Sequence, residues 1–99
     1  MAGSPEGITI TKEEIIALAS QFSADGKKLN TQNGDLEHCR SVLSRIWKDD
    51  RGREFGEVIK KIVKLNDETI ISLQGAIKEL QVIYEKLVEV ERAGKGIGV

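Results

Sequence analysis

Two long stretches of apolar residues at helical spacing flank a short polar segment, Lys48-Asp49-Asp50-Arg51, and the only tryptophan, Trp47, stands at the junction. Apolar residues recurring every three or four positions mark one face of an amphipathic helix. A large ring beside a polar break between two such segments reads as the anchor of a bend in a helical hairpin. The single proline, Pro5, lies before both segments and leaves them without their main helix breaker.

The first segment has a clear start. In Thr11-Lys12-Glu13-Glu14 the threonine hydroxyl can accept from an early backbone N–H while Glu14 reaches back, a capping box. Apolar residues then recur every seven positions at Ile15, Phe22, Leu29, Leu36 and Leu43. A second row, Leu18, Asp25, Gln32, Cys39 and Ile46, completes an expected heptad seam that is apolar at both ends and polar in the middle. Asn33-Gly34 is a turn signal and Asp35 could cap a new helix. Leu29 and Leu36 nevertheless keep the seven-residue phase across it. A continuous helix is expected, with a break into two as the alternative.

Asp49 or Asp50 can cap the second helix. Its face runs Phe55, Ile59, Ile62 with Val63, Asn66, Ile70, Leu73, Ile77, Leu80, Tyr84 and Leu87, and a flanking row adds Val58, Leu65, Ala76, Ile83 and Val90. That band is wider than one coiled-coil stripe, so this helix should pack against more than one neighbour. The expected fold is all-α: an antiparallel two-helix hairpin that pairs into a four-helix bundle dimer. Its parts are an arm (1–10), helix one (about 11–47), a bend (about 48–51), helix two (about 52–92) and a glycine-rich flexible tail (93–99). The polar positions Asp25, Gln32 and Asn66 either fix register and partner number or line a wetter middle of the bundle.

Composition narrows the function. Fifteen basic residues against sixteen acidic leave no cationic surplus for phosphates or anionic lipid, which argues against nucleic-acid and membrane-surface binding. No apolar run approaches the ~20 residues of a membrane span, so no membrane insertion is expected. Met1 to Gly7 has neither the basic segment nor the apolar core of a secretory signal peptide, which leaves open only export by a route that ignores such signals.

Candidate chemistry is sparse. His38 and Cys39 are neighbours on a helix and point about 100° apart, so they make no nucleophile and base. Cys39 reads as a small buried group on the seam and His38 as exposed. Asp49, Asp50, Glu54 and Glu57 carry carboxylates, yet Arg51 and Arg53 lie among them and capping explains them better than a metal. Lys60, Lys61 and Lys64 alternate with Glu57 and Glu68 as a solvated, ion-paired face does. Neither enzymatic activity nor a cofactor or metal is expected.

The pattern resembles the WXG100 family, the small helical-hairpin proteins associated with type VII secretion. The matching residues are Ile8-Thr9-Ile10-Thr11 leading into a capped helix, Phe22, the Leu29/Leu36/Leu43 spacing, Trp47 at the bend and Phe55 opening the second helix. Two features depart from the family. Its Trp-x-Gly bend is here Trp47-Lys48-Asp49, with Asp49 tolerant of a turn and Gly52 a candidate for the tight position. Its Tyr-x-x-x-Asp/Glu export motif is here Tyr84 with Val88 in the fourth place.

The resemblance implies a type VII secretion substrate or an export adaptor, cytoplasmic before export and secreted without a signal peptide. It would act by helix-face pairing, as a homodimer or as a heterodimer with another small helical protein or the helical domain of a secreted effector. The bend residues would be Trp47, Asp49, Gly52 and Phe55. The interface would use Phe22, Leu29, Leu36, Leu43, Ile59, Ile62, Ile70, Leu73, Ile77, Leu80, Tyr84 and Leu87. The alternatives are a cytosolic structural or regulatory coiled-coil module and, far behind, a small enzyme.

Overall fold

The protein is seen in a computed structural model that describes residues 9–98, with side chains for 9–94. It is a hairpin of two helices, α1 (Lys12–Ile46, 35 residues) and α2 (Asp50–Gly98, 49 residues), and no strand occurs among the described residues. The rod measures 75 × 19 × 15 Å. At 1.5 Å per residue α1 covers about 50 Å and α2 about 75 Å.

The start of α1 is as its sequence dictates. Thr11 is the N-cap: its Oγ1 accepts from Glu14 N–H at 3.1 Å, and Thr11 N–H donates to Glu14 Oε1 at 2.9 Å. Helix α1 passes through Asn33-Gly34 unbroken. The energy of the flanking seam contacts outweighs the roughly 1 kcal/mol that a mid-helix glycine costs.

The seam follows a strict alternation of four and three. From α1 it takes Ile15, Ala19, Phe22, Gly26, Leu29, Asn33, Leu36, Arg40, Leu43 and Trp47; from α2 it takes Gly52, Gly56, Ile59, Val63, Asn66, Ile70, Leu73, Ile77, Leu80, Tyr84 and Leu87. Few of these are fully buried: Ile15 and Ile59 are 2% and 4% exposed, Asn33 is 7% exposed, and Gly52 is buried as well. Two helices in contact along one line cannot close a core around their side chains.

The second row of α1 differs from the one expected. Lys12, Ala19, Gly26, Asn33, Arg40 and Trp47 face α2, while Leu18, Asp25, Gln32, Cys39 and Ile46 flank the contact. The chosen row is less apolar, and at Ala19 and Gly26 it is smaller, which lets the helices approach closely there. At Gly26 the Leu73 Cδ1 atom lies 4.0 Å from where a Cβ would stand. Cys39, expected to be buried, is exposed for this reason.

Helix α2 also continues beyond the expected end near residue 92, to Gly98. No proline interrupts it, and each added residue completes one more backbone hydrogen bond. Ile8 and the rest of the arm before Thr9 lie outside the described residues, as does Val99.

Candidate interaction surface

The bend is built from four residues. Trp47 leaves the helix at φ −123° and ψ 87°, and its N–H still donates to Leu43 O at 2.8 Å. Asp49 caps α2: its Oδ1 accepts from Gly52 N–H at 3.0 Å, and its carbonyl accepts from Arg53 N–H at 3.1 Å. Gly52 is buried and belongs to the first turn of α2, so it is not the tight-turn residue its position suggests. Its role is close approach. A Cβ there would stand 2.2 Å from Trp47 O and 2.8 Å from Trp47 Cγ. Phe55 lies one turn on, its ring centroid 6.0 Å from that of Trp47 with planes tilted by 35°. The tryptophan is thus packed on one side against Gly52 and Phe55 yet remains 37% exposed.

Halfway along the rod the seam turns polar. Asn33 Nδ2 donates to Asp67 Oδ1 at 2.9 Å and to Val63 O at 3.3 Å. Asn66 Nδ2 donates to Asn33 Oδ1 at 2.8 Å and to Gln32 Oε1 at 2.9 Å. Asn66 thus donates to Asn33 across the helices, and the chain of bonds runs from Asp67 on one flank to Gln32 on the other. Asn66 is where the sequence reading put it. Asn33 is the polar residue that reading missed, because Asn33-Gly34 looks like a turn. Its position four after Leu29 and three before Leu36 is the signal that would have found it.

At the open end Lys12 Nζ and Glu91 Oε2 pair at 2.8 Å, and this hydrogen bond with Glu91 raises the Lys12 pKa. The Glu14 pKa is lowered by the hydrogen bond from the Thr11 backbone and then by that from its side chain. Both shifts belong to helix ends. Of the acidic residues near the bend, Asp49 caps α2, Asp50 pairs with Arg53, and Glu57 pairs with Lys60 at 3.9 Å. No group of three possible metal-ligating side chains occurs among the described residues. No helix of the described residues is long and apolar enough to cross a membrane.

Two shallow grooves of about 350 and 390 Å³ open along the seam. One lies over Gly26, between Phe22 and Leu73; the other lies beside Trp47, Gly52 and Gly56. Both are spaces left by glycines, and their rims carry Ser23, Asn30 and Gln74, or Ser44, Arg53 and Lys60. These rims share the polar flank of the hairpin.

The opposite flank is different. In an antiparallel pair, the residues just before alternate seam positions on both helices fall on the same side. Here those rows are Leu18, Asp25, Gln32, Cys39 and Ile46 on α1, and Phe55, Ile62, Thr69, Ala76, Ile83 and Val90 on α2. The Asn66 to Gln32 bond emerges on this side, as that geometry requires. Of the exposed large apolar residues, Leu18, Ile46, Phe55, Ile62 and Val90 belong to it, at 38% to 73% exposure, and Val58 and Leu65 widen it near the bend, while Ile16, Ile71 and Val82 lie elsewhere. Of the interface residues named from sequence, Ile62 lies on this outer face. The other eleven, from Phe22 to Leu87, lie on the seam and are spent largely on holding the hairpin together. Comparison with protein-family models, curated proteins and solved structures gives no match.

Proposed function

We propose that this chain is a non-enzymatic pairing module of the WXG100-like kind, serving type VII secretion as a substrate or as an export adaptor. The observation that carries the reading is the apolar outer face formed by Leu18, Ile46, Phe55, Ile62 and Val90, which two helices alone leave in water. A second helical hairpin laid on it would complete a four-helix bundle and withdraw the part of each large aliphatic still in water, a gain of about 1 kcal/mol for a half-exposed side chain. The hairpin architecture and the Trp47 bend support the family reading. Tyr84 supports the adaptor form of it. It sits half-buried on the seam beside α1, with Val88 rather than an acid four places on. A tyrosine held in the hairpin is a packing residue, not a free export signal. Export would then depend on a partner that supplies the signal.

The test is to express the chain alone in a cell with an active type VII system and assay the medium, then repeat with its co-purifying partner. The reading expects export only in the second case. Efficient export of the lone chain, abolished by Tyr84→Ala in a protein that still folds, would overturn the adaptor form. The absence of any stable complex in its source cell would overturn pairing altogether.

A further inference from the structure

Asn33 and Gly34 are neighbours with opposite surroundings. Asn33 is buried, and its side chain donates to Asp67 Oδ1 and Val63 O and accepts from Asn66. Gly34 is exposed, and nothing stands within 4 Å of a Cβ built on it. Packing therefore does not demand a glycine there, and a glycine inside a helix is destabilising. What the pair does provide is a reactive dipeptide. The backbone nitrogen after an asparagine can attack the side-chain amide carbon, and a glycine, with no Cβ, leaves that nitrogen least hindered. Here the Gly34 nitrogen would bond to Asn33 Cγ and give up its proton, the Cγ–Nδ2 bond would break, and ammonia would leave. The cyclic imide then takes up one water, which opens it to aspartate or isoaspartate. Of Asn30, Asn33 and Asn66, only Asn33 precedes a glycine; Thr31 and Asp67 follow the other two.

We infer that Asn33-Gly34 is a deamidation site that the closed hairpin holds shut and the open chain exposes. The inference does not rest on the pairing reading. In the hairpin, ring closure is blocked in three ways. The Gly34 N–H lies inside the unbroken α1, where the ladder commits it to the carbonyl four residues back. The imide ring needs Cβ and the Gly34 nitrogen nearly eclipsed about the Cα–C bond, which a helical ψ of about −42° does not allow. The leaving nitrogen, Nδ2, is held by Asp67 and Val63. Opening removes all three blocks, and a fold this thin opens readily: Ile15 and Ile59 are its buried apolar residues. The step also works against reclosure. The product puts a carboxylate where an amide donated to Asp67, so two carboxylates meet where a hydrogen bond stood. The isoaspartate form adds a methylene to the main chain and breaks the α1 ladder as well. The modified fraction thus records time spent open, and a chain that has reacted is withdrawn from the closed state.

The experiment incubates the full chain in mildly alkaline buffer, folded and in guanidinium, with helix content checked by circular dichroism. Amide-to-acid conversion is read by mass spectrometry at each asparagine. In denaturant Asn33 should convert ahead of Asn30 and Asn66. In the folded chain its conversion should be slower by about tenfold or more, because the reaction waits for opening. Gly34→Ala, which should fold at least as well as the parent, should lose most of the conversion in denaturant. Returned to folding buffer, the converted chain and Asn33→Asp should both unfold at a lower denaturant midpoint than the parent or stay open. Equal rates in the folded and denatured chain would overturn gating by the fold. Conversion of Asn30 or Asn66 ahead of Asn33, or undiminished conversion in Gly34→Ala, would overturn the site. A converted chain with the parent's midpoint would overturn the effect on reclosure.

Discussion

Gly52 lies so close to Trp47 that a Cβ on it would stand 2.2 Å from the tryptophan carbonyl oxygen. The bend is thereby specified from both sides of the break: a large ring on the C-cap of one helix, and no side chain on the third residue of the next. Gly52→Ala must push backbone against backbone, and overpacking of that kind costs about 2–3 kcal/mol. Gly34 and Gly75 have nothing within 4 Å of a built Cβ, so Gly34→Ala and Gly75→Ala should each stabilise by up to about 1 kcal/mol. Chemical denaturation of the three variants checks the contrast; a Gly52→Ala protein as stable as the parent would refute the close-approach account.

Trp47→Ala removes a ring that is packed against Gly52 and Phe55 on one side and 37% exposed on the other. Deleting a fully buried large aromatic costs about 3–5 kcal/mol, so the expected loss here is about 2–3 kcal/mol. A loss below about 1 kcal/mol, the scale of surface substitutions, would mean that the ring contributes to recognition alone.

Asn33→Ala leaves Asn66 with Gln32 alone and removes the amide that donates to Asp67 and Val63, and should cost about 1–3 kcal/mol. Asn33→Leu combined with Asn66→Leu removes both sides of the pair and should recover most of that loss. A double-mutant cycle by denaturation measures the coupling. Strictly additive effects would show that the two asparagines do not act as a unit.

Two groups at the open end of the hairpin have their pKa values displaced in opposite directions. Glu14 has its pKa lowered by Thr11, so its contribution is present above the ordinary carboxyl value of 4.5 and is lost as pH falls through the lowered folded value. Lys12 has its pKa raised by Glu91, so its contribution is present below the ordinary value of 10.5 and is lost as pH rises through the higher folded value. Hydrogen exchange at the first turn of α1 should therefore quicken at both extremes. Thr11→Ala should cost about 1 kcal/mol and weaken the acid arm only in part, because the backbone N–H of residue 11 still donates to Glu14, whereas Glu14→Gln should abolish the acid arm alone. An acid arm that survives in Glu14→Gln would show that Glu14 is not its origin.

Much of this fold is written in residue type and spacing. The capping box, the bend at Trp47, the uninterrupted phase through Gly34 and the α2 row from Ile59 to Leu87 are all local patterns. The second α1 row was not legible in the same way. Hydropathy favours Leu18 and Ile46, whereas the contact uses Ala19, Gly26 and Asn33, which matter for what they leave out or for the partner they meet across the seam. Gly52 was read as a turn residue because its function, leaving space for Trp47, depends on tertiary proximity. The outer face became visible only once the seam was fixed, since a shift of one position exchanges seam and flank.

The most direct test of pairing through that face is the reactivity of Cys39, which is exposed in the hairpin and stands in the layer of Ile62. The rate of its reaction with a small thiol reagent is measured in the native complex, in the isolated chain at high dilution, and in Ile62→Glu. Burial at an interface should slow the complex by about tenfold or more relative to the dilute chain, with Ile62→Glu reacting at the dilute rate even when concentrated. A Cys39 that reacts equally fast in the intact complex and in the dilute chain would place the partner elsewhere and contradict the account.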